Sequence, residues 1–520
     1  MTPVHQLRLS DVLILVAGVW LVVKVVRRIA TRTAQGTKLN GPPNESFLFG
    51  LTRRLVGAPD NGLVYQEWVA KYGPVFHLPI AFLGRKLILC DPKAVNHFYS
   101  MERTIYVKSK LGRAVIENLF GRGLLWAEGE SHKRQRKALT PAFSNAAIRK
   151  LTEVFYDSAH KLKMHWDTTL DNAPPEGVII DVERWANHVA LDSIGIAGFS
   201  YDFRTLDGEY SAVAAAFDSL SFEGQGFLSN LVFLIGIQFP FLATLPTERN
   251  RIMKNLRRTM SGIADQLLEK TRRETKSHIS DDSRDRSVIG LLLKAEAENA
   301  ELHMDEGEVL AQWALIELAR KPEKQAKLRE ELFRFGATDP TWDQLNSSLP
   351  YLDSVVLETL RLHPPLSETT RQAAVDDIIP VSEPITTASG EVVDSIVVRK
   401  GTIVTVPIRY MNQSEVFWGP NSREFEPERW LTLADDPLRA KEIQGHRHLI
   451  TFLDGPRTCL GKSFALAEFK AVLSVLIKNF TFEFPDGPET EIGIHRALIP
   501  RPKVVGQPGG NVPMRVRRAE

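Results

Sequence analysis

Apolar residues run unbroken from Val12 to Val23, VLILVAGVWLVV. Widened to Leu9–Val26 the stretch reaches 18 residues, near the shortest length that spans a bilayer. Asp11 and Lys24 sit at its ends, where a long side chain can snorkel to the interface. Lys24, Arg27, Arg28, Arg32 and Lys38 follow it, against His5 and Arg8 before it. A basic cluster behind the run predicts an uncleaved anchor rather than a signal peptide, and leaves the rest of the chain cytosolic. Leu39-Asn40-Gly41-Pro42-Pro43 then breaks any helix and predicts a stiff hinge.

Past the hinge the periodicity changes. Val75 to Leu89 holds two short apolar runs either side of Ala81-Phe82-Leu83-Gly84-Arg85, the pattern of a hairpin. Phe143–Trp166, Arg249–Arg273 and Trp313–Phe335 place apolar residues three and four apart among charges, so each predicts an amphipathic helix. Glu269–Arg286 mixes charges of both signs and predicts an exposed loop. No repeat, linker or composition shift divides the chain beyond the hinge. The expected architecture is mainly α with small β-sheets: an anchor and basic hinge over 1–38, one large domain over 39–510, and a tail over 511–520.

Composition narrows the class. At 43% hydrophobic and 25% charged, the 520 residues can bury a large core. The 65 basic and 63 acidic residues nearly cancel, leaving +2 and no reason to expect a nucleic-acid partner. Cys90 and Cys459 are the only cysteines, too few for a disulfide scaffold and suited to a reducing compartment.

Cys459 carries the chemistry. It lies in Phe452-Leu453-Asp454-Gly455-Pro456-Arg457-Thr458-Cys459-Leu460-Gly461, just ahead of a run apolar on most faces that predicts a buried helix. A helix N-terminus favours the thiolate. Gly455 and Gly461 permit a tight turn, and Arg457 supplies a fixed positive charge suited to a carboxylate. Cys90, beside Asp91-Pro92 at the end of a predicted strand, has no such company and reads as structural.

The segment matches F-x-x-G-x-R-x-C-x-G and resembles the haem-binding loop of the cytochrome P450 family, specifically its fungal microsomal members. The likeness covers nearly the whole chain after the hinge. Glu358-Thr359-Leu360-Arg361 matches the family's E-x-x-R, and Phe425-Glu426-Pro427-Glu428-Arg429-Trp430 supplies a third member. The resemblance implies a structural Glu358–Arg361–Arg429 cluster. It also implies Cys459 as axial ligand of a haem (iron-protoporphyrin IX), within a loop that includes Phe452, Arg457 and Gly461. His132 and Arg136 are implied at one propionate, with His132 where tryptophan is commoner, and Arg371 is implied to reach a propionate from the strand after the E-x-x-R helix.

Function follows by the same resemblance: one oxygen atom inserted from O2 into a small apolar substrate such as a terpenoid or other secondary metabolite. No flavin or nicotinamide segment is recognisable, so electrons are expected from a separate NADPH-dependent flavoprotein reductase. The expected location is the endoplasmic reticulum membrane, single-pass, with the catalytic domain cytosolic. One part is missing. The family's long distal helix carries A/G-G-x-(D/E)-T, whose acid and alcohol relay protons, but here Gln312 runs straight into Trp313 and no Thr lies between Asp305 and Pro322. Roughly 16 residues are absent, about 24 Å of helix at 1.5 Å per residue. Three alternatives stay open: a monooxygenase whose working form has the segment, a haem-thiolate protein that uses peroxide or rearranges its substrate, and an inactive one.

Overall fold

The computed structural model describes residues 36–209 except 82, 83 and 200, and residues 310–519 except 337, 435–437, 496, 498, 499 and 508; position 211 and scattered positions in 18–20 and 251–269 are also described. The chain divides into two compact units, Met1–Val107 with Thr369–Pro407 and Lys108–Glu368 with Ile408–Glu520. No linker marks the boundary because each unit joins stretches far apart in sequence through strand pairing and helix packing.

In chain order the described strands are Val75–Ile80 (β1), Gly84–Leu89 (β2), Tyr106–Val107 (β3), Val178–Asp181 (β4), Thr369–Ala373 (β5), Asp377–Thr386 (β6), Val392–Val398 (β7), Ile403–Val406 (β8), Phe480–Glu483 (β9), Ile492–His495 (β10), Arg501–Val504 (β11) and Pro513–Arg518 (β12). The first unit holds the sheet β1-β2-β8-β5-β3 and the pair β6-β7. β1 and β2 are the expected hairpin, with Val75 opposite Leu89. The hinge is docked rather than free. Asn40 O accepts from His77 N at 3.0 Å, Lys38 O from Ala388 N at 2.7 Å, and Thr37 N donates to Val397 O at 3.1 Å. Gly41 allows this approach, since a Cβ there would lie 1.9 Å from His77 O.

The second unit is mostly helical. Its helices used below are Gly129–Leu139 (α1), Asn145–Asp171 (α2), Val182–Phe199 (α3), Leu310–Arg320 (α4), Pro322–Phe333 (α5), Pro350–Leu362 (α6) and Lys462–Asn479 (α7). α7 is buried along most of its length, as its apolar pattern predicts, and Phe464 meets Phe155 of α2 edge-on at 4.8 Å. Its deeply buried lysine, Lys470, is matched by Asp353 at 2.7 Å and Leu345 O at 3.0 Å. The run Trp313–Phe335 is two helices, not one. Pro322 has no N–H to give its preceding turn, so α4 stops at Arg320 and a new helix starts on the proline.

Among the described residues no helix is long and apolar enough to cross a membrane. The run 9–26, apart from Gly18 and Trp20, lies outside them, as does Glu269–Arg286 apart from Glu269; of Arg249–Arg273 ten of 25 residues are described, all of them helical.

The terminal ten residues are not a tail. β12 is the middle strand of the sheet β4-β12-β9, with Met514 and Val516 fully buried and Arg515 and Arg517 outside. This period-two alternation is too short to stand out in sequence. Ending the chain at Asn511 is expected to cost about 3–6 kcal/mol from those two side chains alone. A denaturant midpoint equal to that of the full chain would restore the reading as a tail.

Candidate active site around Cys459

The loop preceding α7 is closed on itself. Cys459 N donates to Phe452 O at 2.9 Å, and Thr458 Oγ1 to Gly455 O at 2.7 Å. Leu453 (φ 58°) and Gly455 (φ 65°) take left-handed backbone, which turns the chain sharply before the short 3-10 turn Gly455–Arg457. Gly461, the residue ahead of Lys462, has φ −80°, so its place depends on helix entry and not on positive φ. Phe452 is buried, while Cys459 is a reduced, partly exposed thiol beside the N-terminus of α7. Cys90 is fully buried, and burial pushes its thiol pKa up, as suits an inert cysteine.

Basic groups converge on this loop. Arg136 lies close enough for the Cys459 sulfur to favour its charge, against a larger opposing effect of burial. His132, one turn earlier on α1, is buried. Arg457 is buried too: its Nη1 donates to Ala127 O at 3.2 Å and its Nη2 pairs with Glu128 Oε2. Glu128 Oε1 also accepts from Lys108 N at 3.1 Å and faces Lys108 Nζ at 3.4 Å. Glu128 and Lys108 were invisible to sequence reasoning; only the structure joins them to a loop more than three hundred residues away.

Arg371 belongs to the other unit. Its Nε lies 2.9 Å from Oε1 of Glu102, a fully buried carboxylate, and its Nη1 donates to Thr370 O at 3.0 Å. Sequence reasoning missed Glu102 as well.

The structural cluster comes together around Glu358, which is fully buried. Its Oε1 accepts from Arg361 Nη2 at 2.8 Å, Arg429 Nε at 3.1 Å and Glu426 N at 2.9 Å. Its Oε2 accepts from Arg361 Nε and Trp430 Nε1, both at 2.9 Å. Burial opposes its charge, but Arg361 and Arg429 outweigh burial and hold the pKa below the ordinary glutamate value. Arg361 then reaches Asn412 O at 3.0 Å. Asn412 Nδ2 donates to Thr451 Oγ1 at 2.8 Å, and that hydroxyl donates to Leu360 O at 2.8 Å. Thr451 precedes Phe452, so the bonds run from Glu358 to the cysteine loop.

On the remaining side stands α4. Gln312 is fully buried, with Nε2 2.9 Å from Asn187 Oδ1 of α3. Trp313 stacks flat on His363 at 4.0 Å, and His363 Nε2 meets Glu317 Oε1 at 2.7 Å. Burial lowers the His363 pKa against the pull of Glu317. No threonine occurs in α4.

Residues 41–505 match the cytochrome P450 family. The chain belongs to that family. This cytochrome P450 is 55% identical to cytochrome P450 monooxygenase claP and 53% identical to claO, both of Ampulloclitocybe clavipes, over 100% of each chain. It is 34% identical to cytochrome P450 monooxygenase 205 of Postia placenta, over 97% of this chain and 96% of that one. The claP alignment runs over 540 positions against 520 residues here, so about 20 positions face gaps in this chain. Cytochromes P450 are haem enzymes, and the donors here fit the group: a reduced thiol at a helix N-terminus, with buried cationic side chains nearby for carboxylates.

Because the Glu358 pKa is depressed on folding, its stabilisation is complete above the unfolded glutamate value, about 4.3, and is lost as pH falls through the lower folded value. Glu358→Gln strands the buried Arg361 and the partly buried Arg429 and is expected to cost about 3–5 kcal/mol. It should also flatten the acid limb of the stability–pH curve; an unchanged limb and denaturation midpoint would deny the carboxylate this role.

Proposed function

We propose that this cytochrome P450 is a monooxygenase whose haem iron is ligated by Cys459. In this reading His132, Arg136, Arg371 and Arg457 hold the propionates, and Phe452 and Gly461 shape the loop beneath. Bound haem supplies the reducible iron on which dioxygen is activated. The chain's own residues do the rest. The left-handed turn at Leu453 and Gly455 presents the sulfur. The Cys459 N to Phe452 O bond keeps the turn closed. The end of α7 favours the thiolate. The observation that carries the reading is this closed loop, with its reduced cysteine set at a helix N-terminus and beside Arg136.

The proposed substrate is small and apolar, electrons come from an NADPH-dependent flavoprotein reductase, and residues 9–26 anchor the chain in the endoplasmic reticulum membrane with the body cytosolic. The apolar run and the basic residues behind it support the placement.

A second reading is favoured by the distal side. No threonine lies in α4 or anywhere between Asp305 and Pro322, and on this reading the 520-residue chain lacks the proton-relaying pair. As it stands it is a haem-thiolate protein without ordinary O2 activation: peroxide-using, rearranging or inactive. The two readings meet if the working form carries a distal segment between Gln312 and Trp313.

Cys459→Ala is expected to abolish the red-shifted Soret band of the reduced, carbon monoxide-bound protein, and Cys90→Ala to leave it intact. A band that survives Cys459→Ala removes the assigned ligand.

The 520-residue chain is expected to show weak haem retention and no NADPH-coupled hydroxylation. Inserting a family-like A/G-G-x-E-T segment after Gln312 should raise both haem content and turnover. Coupled turnover by the 520-residue chain at the rate of the lengthened one would dismiss the second reading.

A further inference from the structure

The last four carbonyls of a helix have no partner within it and must find one elsewhere. At the end of α6 two of them are met by side chains. Leu360 O accepts from Thr451 Oγ1 at 2.8 Å, and Leu362 O accepts from Gln413 Nε2. Thr451 immediately precedes Phe452, and Gln413 ends the short helix Ile408–Gln413. Asn412, one residue before it and fully buried, joins the two segments. Its Nδ2 donates to Thr451 Oγ1 at 2.8 Å, and its Oδ1 accepts from Ile450 N at 3.4 Å. Its backbone oxygen is taken by Arg361 Nη1 at 3.0 Å.

The donors run one way, from amide to hydroxyl to Leu360 O, so each bond polarises the next. An apolar pair could fill this space without the cost of burying polar groups. What the amide and hydroxyl add is direction: they fix Ile450 and Thr451 at one register against α6. That register is passed on through backbone. Ile450 O accepts from Leu453 N at 2.9 Å and closes the turn in which Leu453 has φ 58°. Phe452, inside the turn, gives its carbonyl to Cys459 N at 2.9 Å. A slip of Ile450 and Thr451 therefore carries Phe452 O away from Cys459 N and releases the sulfur from its place beside α7.

We propose that Asn412 and Thr451 are positioning residues for the thiolate of Cys459, acting on it through the backbone of Ile450 and Phe452. This deepens the reading of Cys459 as the haem ligand and rests on it. A thiolate ligand must stay at bonding distance and unprotonated; a loop free to open lets the sulfur leave or take up a proton. The Asn412–Thr451 bond holds the loop shut from outside the ten residues Phe452–Gly461. Glu358 fixes where α6 lies, and this pair fixes where the loop lies on α6.

The test titrates haem into full-length apoprotein of the parent, Thr451→Val, Thr451→Ser, Asn412→Leu, the double variant Asn412→Leu/Thr451→Val and, as control, Thr359→Val. The control deletes a buried hydroxyl that donates to Val355 O at 2.8 Å inside α6. Thr451→Val and Asn412→Leu are each expected to weaken haem binding about tenfold, the scale found for residues that orient metal ligands. In the haem that stays bound, part of the Soret intensity of the reduced, carbon monoxide-bound protein should move from the red-shifted band to the unshifted one. The reduction midpoint should rise with it, since an anionic ligand favours ferric iron. Thr451→Ser keeps the hydroxyl and should keep the parent's band and midpoint. The double variant should differ little from either single one, because both remove the same bond. Thr359→Val should lower the unfolding midpoint of the apoprotein and leave the band unmoved. A parent-like band and midpoint in the haem bound by Thr451→Val and Asn412→Leu would overturn the proposal and leave both residues to stability alone. Equal loss in Thr451→Ser, or full additivity in the double variant, would overturn it too. A red-shifted band that persists in Cys459→Ala would instead fault the ligand assignment, whichever way Asn412 and Thr451 answer.

Discussion

Glu358 is the charge that the second unit is arranged to hold. A carboxylate with no solvent exposure costs several kcal/mol to desolvate, and one arginine rarely repays it. Five donors from four residues meet its two oxygens, so each lone pair has a partner. Arg361 in turn must be satisfied, and it reaches backbone carbonyls of Asn412 and Glu424 and stacks at 5.2 Å from Trp418. The cost of two buried ions is thereby converted into fixed positions for α6 and the segment 412–430. Through Asn412 and Thr451 the same constraint fixes where Phe452 begins the cysteine loop. A second carboxylate on α6, Asp353, takes Lys470 and ties α7 to the same helix. The helix before the loop and the helix after it share one anchor.

The parts of this arrangement legible in sequence were those whose spacing is local. Glu358 and Arg361 are three apart on a helix and share a face whatever else the chain does. The cysteine loop could be read because its glycines, arginine and cysteine fall within ten residues of a long apolar run. Glu128 could not be read, because its meaning comes from Arg457, and a pattern of hydrophobic and polar positions carries no information on which distant cation a carboxylate meets. Trp430 and the N–H of Glu426 joined Glu358 for a similar reason: the sequence suggested Arg429 beside the pair, but not that the whole turn would fold around one carboxylate.

The two ends of the large domain were hard to read for a different physical reason. The segment 39–43 and the segment 511–520 both look like connecting chain, one rich in proline and the other in arginine. Each lends backbone to a sheet or its edge, where hydrogen bonds depend on main chain and not on composition. Arg518 adds side-chain contacts to Asp167 and Asp171 of α2.

α4 is held to its surroundings by two sets of contacts. Its C-terminal part is fixed by Trp313 on His363, Glu317 to His363, and Arg320 Nη2 to Thr490 O at 2.8 Å. Gln312 is fixed by Asn187 and by Glu183 O at 3.3 Å. The two anchored parts are adjacent residues of one continuous helix, so neither can slide to make room for the other. Sixteen further residues between them would move Gln312 about 24 Å along the axis and turn it by roughly 160°. Its bond to Asn187 would be lost if Trp313 and the residues after it kept their places. The polar contact that seals α4 against α3 therefore occupies, in this chain, the place along the helix from which a lengthened form would continue, and the two arrangements exclude each other.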